Sequence, residues 1–257
     1  MRFLITGAAS GIGAATTEVL RRLGHRVVGL DLREGPGIIR ADVRDQSQVD
    51  AAVAEAVEEL GGLDVLVNDA GIGEPQDAGA PPDRRVMDIL ETNYLGAWRV
   101  TAAALAPLIE SGGRVINVAS GLAALTLPLS AGYAASKRAL VAYSDVLRIE
   151  YGDRITVTTV YPGYIETPIH RRTEEVGIRL REAVPADRMD GAVRAIIMAS
   201  LGRPRRAIAT SARTAAAVWF ARHFPRTADA VVRSRVGSLS RRDRYDPSPV
   251  ARRFDRD

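Results

Sequence analysis

The chain has 257 residues and no cysteine, which excludes disulfides, thiol nucleophiles and cysteine-ligated metals. Histidine is scarce. His25, His170 and His223 lie far apart, with no H-x-x-x-H or H-E-x-x-H spacing, so no metal site is expected. No apolar run approaches the roughly 20 residues that span a bilayer. No secretory leader is visible either, because Met1 and Arg2 run straight into Phe3-Leu4-Ile5, which reads as a first strand. A cytoplasmic location is the default expectation.

Lysine is the most telling shortage. Lys137 is the only one, against 34 arginines. Where arginine serves every generic cationic role, a retained lysine points to a need for a compact ammonium whose pKa can be adjusted. The formal net charge is only +4, and the basic residues are scattered. The last 17 residues carry six Arg against four Asp, which reads as a solvated basic tail and not as a nucleic-acid footprint.

What is present is a regular alternation. Strands are expected at Arg2–Thr6, His25–Asp31, Ile38–Ala41, Leu63–Asn68, Gly113–Ala119, Ile155–Tyr161 and Arg206–Thr210. Helical patterns fall at Ile12–Leu23, Gln48–Leu60, Arg84–Pro107, Tyr133–Tyr151, Asp190–Leu201, Thr214–His223 and Thr227–Val236. Buried strands that read as continuous apolar runs imply a parallel sheet covered on both faces. The expected fold class is α/β: one Rossmann-like, doubly wound domain over residues 1–237, followed by a polar basic tail at 238–257. In such sheets ligands bind beyond the carboxyl ends of the strands.

Three constellations carry chemistry. The first is the turn Thr6-Gly7-Ala8-Ala9-Ser10-Gly11-Ile12-Gly13, between a strand and a helix. Gly7, Ser10, Gly11, Ile12 and Gly13 are candidates to cradle a dinucleotide pyrophosphate at the helix N-terminus, where backbone N–H groups and the dipole favour an anion. The second is Asp31, at the end of the second strand and 18 residues beyond Gly13, suited to accept from an adenosine ribose. Asp42, with Val43 beside it, is placed to meet the adenine. An acid at residue 31 would repel a 2′-phosphate, so NAD is expected over NADP, with Arg33 as the complicating cation. The third is Tyr133-x-x-x-Lys137, four residues apart on one helix face. A phenol with a pKa of ~10 exchanges protons poorly near neutrality. A neighbouring ammonium lowers that pKa. Ser120, at a strand end, is placed to hold a substrate oxygen beside the phenol.

Together these segments resemble the short-chain dehydrogenase/reductase family. Thr6–Gly13 resembles its TGxxxGxG loop, Asn68-Asp69-Ala70-Gly71 its NNAG motif, and Pro162-Gly163-Tyr164-Ile165-Glu166-Thr167 its PGxxxT segment. Asn93, Ser120, Tyr133 and Lys137 match its catalytic tetrad. The resemblance implies that Tyr133 is the acid/base and that Ser120 polarises the carbonyl or hydroxyl. Lys137 would bind the nicotinamide ribose and lower the tyrosine pKa, and Asn93 would hold a relay water. Asn68, Ala70 and Gly71 would line the adenosine side. Pro162 and Gly163 would also bind the cofactor, with Ile165 and Thr167 fixing its carboxamide. Asp69 departs from the motif's second Asn.

The implied function is hydride transfer between NAD(H) and a secondary alcohol or ketone, with a lipid- or steroid-like substrate in view. The alternatives are an NADP-dependent carbonyl reductase and a non-catalytic dinucleotide-sensing scaffold. Leu122, Leu125, Leu127 and Leu129 are expected to form an apolar pocket wall, with Glu166–Arg188 and the C-terminal helices. A homodimer or homotetramer is expected through the helices at Asn93–Pro107 and Tyr133–Tyr151, where Leu140, Tyr143 and Leu147 share a face that either contributes to the contact or packs in the core. Thr214–Val236, with Val218-Trp219-Phe220 among arginines, suits a lid or a lipid-facing surface over an apolar pocket, or, the favoured alternative, a subunit interface or core packing.

Overall fold

A computed structural model describes residues 1–175 and 186–240 of the chain. Among the described residues seven strands form one parallel sheet: β1 (Arg2–Thr6), β2 (Arg26–Asp31), β3 (Ile38–Arg40), β4 (Val65–Asn68), β5 (Arg114–Val118), β6 (Thr156–Tyr161) and β7 (Ala207–Ala209). Their order is β3-β2-β1-β4-β5-β6-β7. Each lies within two residues of its expected bounds. The order reverses between β1 and β4, which opens a crevice at their carboxyl ends.

Strand alternation sorts the apolar side chains into two cores. On one face Leu4, Val28, Leu66, Val115 and Val157 pack under α2 (Gln46–Leu60), α4 (Ala97–Ser111) and α5 (Ala131–Tyr151). On the other, Phe3, Ile5, Val65, Ile116 and Val160 pack under α1 (Gly11–Arg22) and α7 (Met189–Leu201). Asp45 caps α2 by accepting from the Ser47 and Gln48 backbones, and Gly61 ends it at φ 70°. The helix therefore starts two residues before the expected Gln48 and ends at the expected Leu60.

The long helix expected at Arg84–Pro107 is interrupted. It comprises α3 (Arg84–Leu90), a π-helical turn (Glu91–Gly96) and α4, which runs past Pro107 to Ser111. The π turn coincides with Asn93, whose side chain is gripped by another segment of the chain, as described below. Gly96 in the same turn packs so tightly that an added Cβ would lie 2.7 Å from Val43 Cγ2.

Beyond β6 come a 3₁₀ turn at Pro168–His170 and α6 (Arg171–Glu175). The expected pocket segment Glu166–Arg188 is therefore described only in part, since residues 176–185 lie outside the described residues. After β7 follow α8 (Ala212–His223) and α9 (Pro225–Ser240). Helix α9 passes the expected domain boundary at 237, and residues 241–257 of the tail lie outside the described residues. No described helix is long and apolar enough to cross a membrane. Leu140 and Leu147 are buried in the molecule's own interior, and Tyr143 packs against the core, so Leu140 and Leu147 cannot form a face for a second subunit.

A chain of buried polar side chains joins the helices through the sheet. Ser144 Oγ accepts from Asn117 Nδ2 at 2.8 Å, Asn117 Oδ1 accepts from Asn68 Nδ2 at 2.8 Å, and Asn68 Nδ2 also reaches Thr101 Oγ1 at 2.9 Å. Losing one member leaves buried polar groups without partners. Asn117→Ala should lower unfolding free energy by about 2–3 kcal/mol. Urea denaturation followed by circular dichroism would test this, and a change under 0.5 kcal/mol, on the order of a surface substitution, would contradict it.

Candidate active site

A cavity of about 990 Å³ opens at the carboxyl ends of the central strands. Gly7, Ser10, Gly11, Ile12, Asp31, Asp42 and Val43 line one end of the chemistry, and Ser120, Tyr133 and Lys137 the other. Ala70, Gly71, Pro162, Gly163, Ile165 and Thr167 lie in its wall as well.

The glycine loop is shaped by close backbone approach. Gly7 and Gly11 sit at φ 72° and 57°. A Cβ on Gly13 would lie 2.4 Å from the Gly7 carbonyl oxygen, so Gly13 serves the packing of α1 on the loop and does not line the cavity. Ser10 is the N-cap residue of α1, yet its side chain makes no capping bond. This helix N-terminus, open to the cavity and bordered by glycines, fits a pyrophosphate. Asp31 Oδ2 accepts from Ala9 N at 3.0 Å and Oδ1 from Arg33 N at 3.1 Å, which holds the carboxylate at the loop. Arg33 Nε stands 3.9 Å from it. A nicotinamide dinucleotide therefore fits the residues present. Asp42, expected to meet an adenine, is already bound by Arg44, with Nη2 to Oδ2 at 2.7 Å and Nε to Oδ1 at 3.0 Å. The side-chain hydrogen bond from Arg44 holds its carboxyl below the usual range.

At the other end, α5 carries Tyr133 and Lys137 on one face, with Nζ 5.9 Å from the phenol ring centroid. Nζ is buried and donates to the Val118 carbonyl at the end of β5 at 2.9 Å. Ser120, two residues further on, is also buried and hydrogen-bonds Tyr133. Burial pushes the Tyr133 phenol up to about 12, with Ser120 pulling it down and Asp69 pushing it up. Burial pushes Lys137 down to about 8, opposed by Asp69.

Asn93 lies behind these groups. Its Oδ1 accepts from Ile72 N at 2.8 Å, while Nδ2 donates to Ile72 O at 2.9 Å and Ser136 Oγ at 3.0 Å. Ser136 Oγ in turn donates to the Tyr133 carbonyl at 2.8 Å. The side chain thus fixes the start of α5 and takes no direct place in the cavity. Asn68, expected to line the adenosine side, has its side chain inside the sheet in the polar chain above. Leu122, Leu125 and Leu127 lie in the wall, whereas Leu129 does not: it adopts φ 60° and its carbonyl accepts from Gln76 N.

With this geometry in view, sequence comparison is decisive: the model of the short chain dehydrogenase family matches residues 2–176. The chain is a short-chain dehydrogenase. It is 32% identical over 205 residues to the 3-oxoacyl-(acyl-carrier-protein) reductase FabG of Escherichia coli strain K12, covering 74% of this chain and 84% of that one. A short chain dehydrogenase from Burkholderia cenocepacia, solved with NADP, superposes with a TM-score of 0.77 at 27% identity, covering 90% and 96% of the two chains. A 3-ketoacyl-(acyl-carrier-protein) reductase from Brucella melitensis, solved with NADH, gives 0.70 at 27% identity, covering 80% and 95%. This dehydrogenase is accordingly an oxidoreductase with a dinucleotide-binding fold.

Two groups in its site escaped sequence reading. Asp187 follows the segment outside the described residues, where no motif marks it. Its carboxylate accepts from Thr210 Oγ1 and Thr214 Oγ1 at 2.7 Å each, Ser211 Oγ at 2.9 Å and Arg213 Nη2 at 3.0 Å. Burial pushes this carboxyl up, but the four donors outweigh it and hold it below the usual range. A Cβ on Gly163 would lie 2.5 Å from Asp187 Oδ2, so only glycine fits beside the clamp.

The other is Asp69, visible in sequence only as a departure from the motif. Its backbone N–H and that of Ala70 donate to Thr6 Oγ1 at 3.1 and 3.0 Å. Its carboxylate accepts the Gly13 N–H, and burial pushes it up to about 7 against the pull of Lys137. Because Asp69 raises both Tyr133 and Lys137, Asp69→Asn should lower both. Alcohol oxidation needs the deprotonated phenol, so the rising limb of its pH–rate profile should move to lower pH. A profile that is unmoved, or moved to higher pH, would contradict this coupling.

Proposed function

We propose that this dehydrogenase moves a hydride between NAD(H) and a secondary alcohol or ketone, with Tyr133 as acid/base. The observation that carries the reading is the convergence of Ser120, Tyr133 and the buried Lys137 at one end of a cavity whose other end is the glycine loop with Asp31. When bound, the dinucleotide supplies or accepts the hydride at the substrate carbon. In reduction the Tyr133 hydroxyl gives its proton to the carbonyl oxygen as the C–O bond becomes an alcohol; in oxidation the phenolate takes it back. Ser120 holds that oxygen by its hydroxyl. Lys137 supplies the positive charge that brings a phenol raised by burial back toward a usable pKa. Asn93 acts through Ser136, keeping the first turn of α5 in register.

NAD is expected over NADP because the Asp31 carboxylate, held at the glycine loop, would repel a 2′-phosphate. Two unit charges about 4 Å apart repel by roughly 4 kcal/mol at an effective dielectric near 20. Solvent reduces that figure, leaving a preference of about 10- to 1000-fold. Relatives have been solved with each cofactor, NADP in one and NADH in the other. The Asp31 carboxylate is fixed by two backbone N–H groups, whereas the Arg33 side chain is largely exposed. Comparing kcat/KM for NAD and NADP in the parent and in Asp31→Ala tests the choice. A parent that prefers NADP, or a ratio unmoved by the substitution, would refute it.

Tyr133→Phe should cut turnover by about 10²–10⁴-fold while NADH binding, read by fluorescence, stays intact. Lys137→Arg should fail as well, because the Nζ site against Val118 is buried and a guanidinium is larger and planar. Activity within tenfold of the parent in Tyr133→Phe, on the order of one lost hydrogen bond, would sink the assignment of Tyr133 as acid/base.

Self-association completes the proposal. Trp98 stacks on Tyr143 at 5.0 Å between ring centroids, and Val146 and Ile149 are exposed on α5, Ile149 at 83%. A second copy covering this face gives a dimer or tetramer. Light scattering at micromolar concentration should give a multiple of the monomer mass, and Ile149→Glu should reduce it. A monomeric parent would refute this.

A further inference from the structure

We propose that the part of the cavity beyond Ser120 and Tyr133 is a site for the uncharged apolar body of the substrate, walled by the C-terminal helix pair. The substrate class is then a medium-chain aliphatic or alicyclic ketone, or its alcohol, and not a sugar or other hydrophilic carbonyl compound. This rests on the reading of Ser120 and Tyr133 as the reacting end.

The helix pair lies outside the residues matched by the family model. Helix α8 is anchored against the reacting groups. Ser211 caps it by accepting from Thr214 N at 3.0 Å, and Asp187 clamps Ser211, Arg213 and Thr214. The Thr214 methyl lies 3.7 Å from the position of a Cβ on Gly121, directly after Ser120, and its hydroxyl 2.6 Å from one on Gly163. Helix α8 thus begins at the junction of the two loops that border the reacting atoms.

From that anchor the cavity-lining residues follow helical spacing. Thr214, Ala217 and Val218 line the cavity from α8, three and four residues apart. On α9 the lining residues are Ala228, Val231, Val232, Arg235 and Val236, at intervals of three, one, three and one. One face of α9 therefore looks into the cavity, while Arg226, Asp229 and Arg233 are exposed. Helix α9 packs chiefly on α8, so much of what its inner face meets is the cavity itself. Across the space stand Leu122, Leu125 and Leu127. Of the cations in the lining, Arg213 is turned to Asp187 and to the Ala186 carbonyl, at 3.0 and 2.9 Å, Arg172 pairs with Glu74, and Arg235 lies in the last turns of the stripe. Val231 is 56% exposed on this inner stripe, an apolar surface that an apolar ligand would cover.

The test uses the full chain and two readouts. With NADH or NADPH, whichever is used faster, kcat/KM is measured for the series 2-butanone to 2-decanone and for dihydroxyacetone. Each added methylene should raise kcat/KM by about two- to fourfold until the lobe is filled. In parallel, calorimetry follows the unreactive amides butanamide and decanamide binding to the protein with the reduced cofactor present. Decanamide should bind at least about tenfold more tightly. Val232→Asp and Ala217→Phe, one placing a charge and the other a bulk in the lobe, should each flatten both series. Retained cofactor fluorescence and melting temperature would show that the variants are folded. A flat ketone series, a preference for dihydroxyacetone, or equal binding of the two amides would overturn the proposal while leaving hydride transfer by Tyr133 standing. Tight decanamide binding with no ketone turned over would support the lobe and instead sink the reading of the reaction.

Discussion

The structure turns on a buried ammonium. Lys137 Nζ is drawn out of water by the packing of α5 on the sheet and held there by one carbonyl, that of Val118 at the end of β5. A buried cation is costly unless it is hydrogen-bonded and balanced by charge. Asp69 supplies the opposite charge from the end of β4, and the phenol of Tyr133 lies beside it on the same helix. Strand β5 therefore orients the lysine, β4 balances it, and α5 delivers both lysine and tyrosine. Any slip of α5 along the sheet would break all three relations together.

That demand explains how much of the molecule is spent on holding α5. Asn93 interrupts its own helix with a π turn and ties Ile72 to Ser136, one turn from Tyr133. Asn117 reaches Ser144, further along the same helix, through the sheet. Neither side chain lines the cavity. Polar groups in the interior act here as register pins, since each has few partners that satisfy it and those partners sit at one position only.

The C-terminal region is organised differently. There the control point is the Asp187 carboxylate, which gathers four donors from the turn after β7 and the start of α8. Gly163 gives it room. This clamp sets where α8 starts, and α9 follows from α8. The dinucleotide end of the cavity is shaped by the close backbone approaches of the glycine loop, and α8 and α9, beyond the residues that the family model matches, add to the wall at the other.

Much of this was legible before any coordinates. Seven strands and their parallel arrangement follow from apolar runs alternating with helical stripes, because burial on both faces leaves no room for polar alternation. The glycine loop, Asp31 and the Tyr133–Lys137 spacing are local patterns whose chemistry is set by neighbours in sequence. By itself, then, the sequence determined the fold class, the family and the residues that meet at the strand ends. Only the tertiary structure decided that Asn68 turns into the sheet, that Asn93 pins a helix, that Leu140 and Leu147 are interior, that Asp42 is taken by Arg44, and that Asp187 and α9 shape the cavity. Each of those is a contact between segments distant in the chain or a choice among several partners within reach. Such choices are made by packing, which fills the interior in one way and strands every polar group that has not found its place.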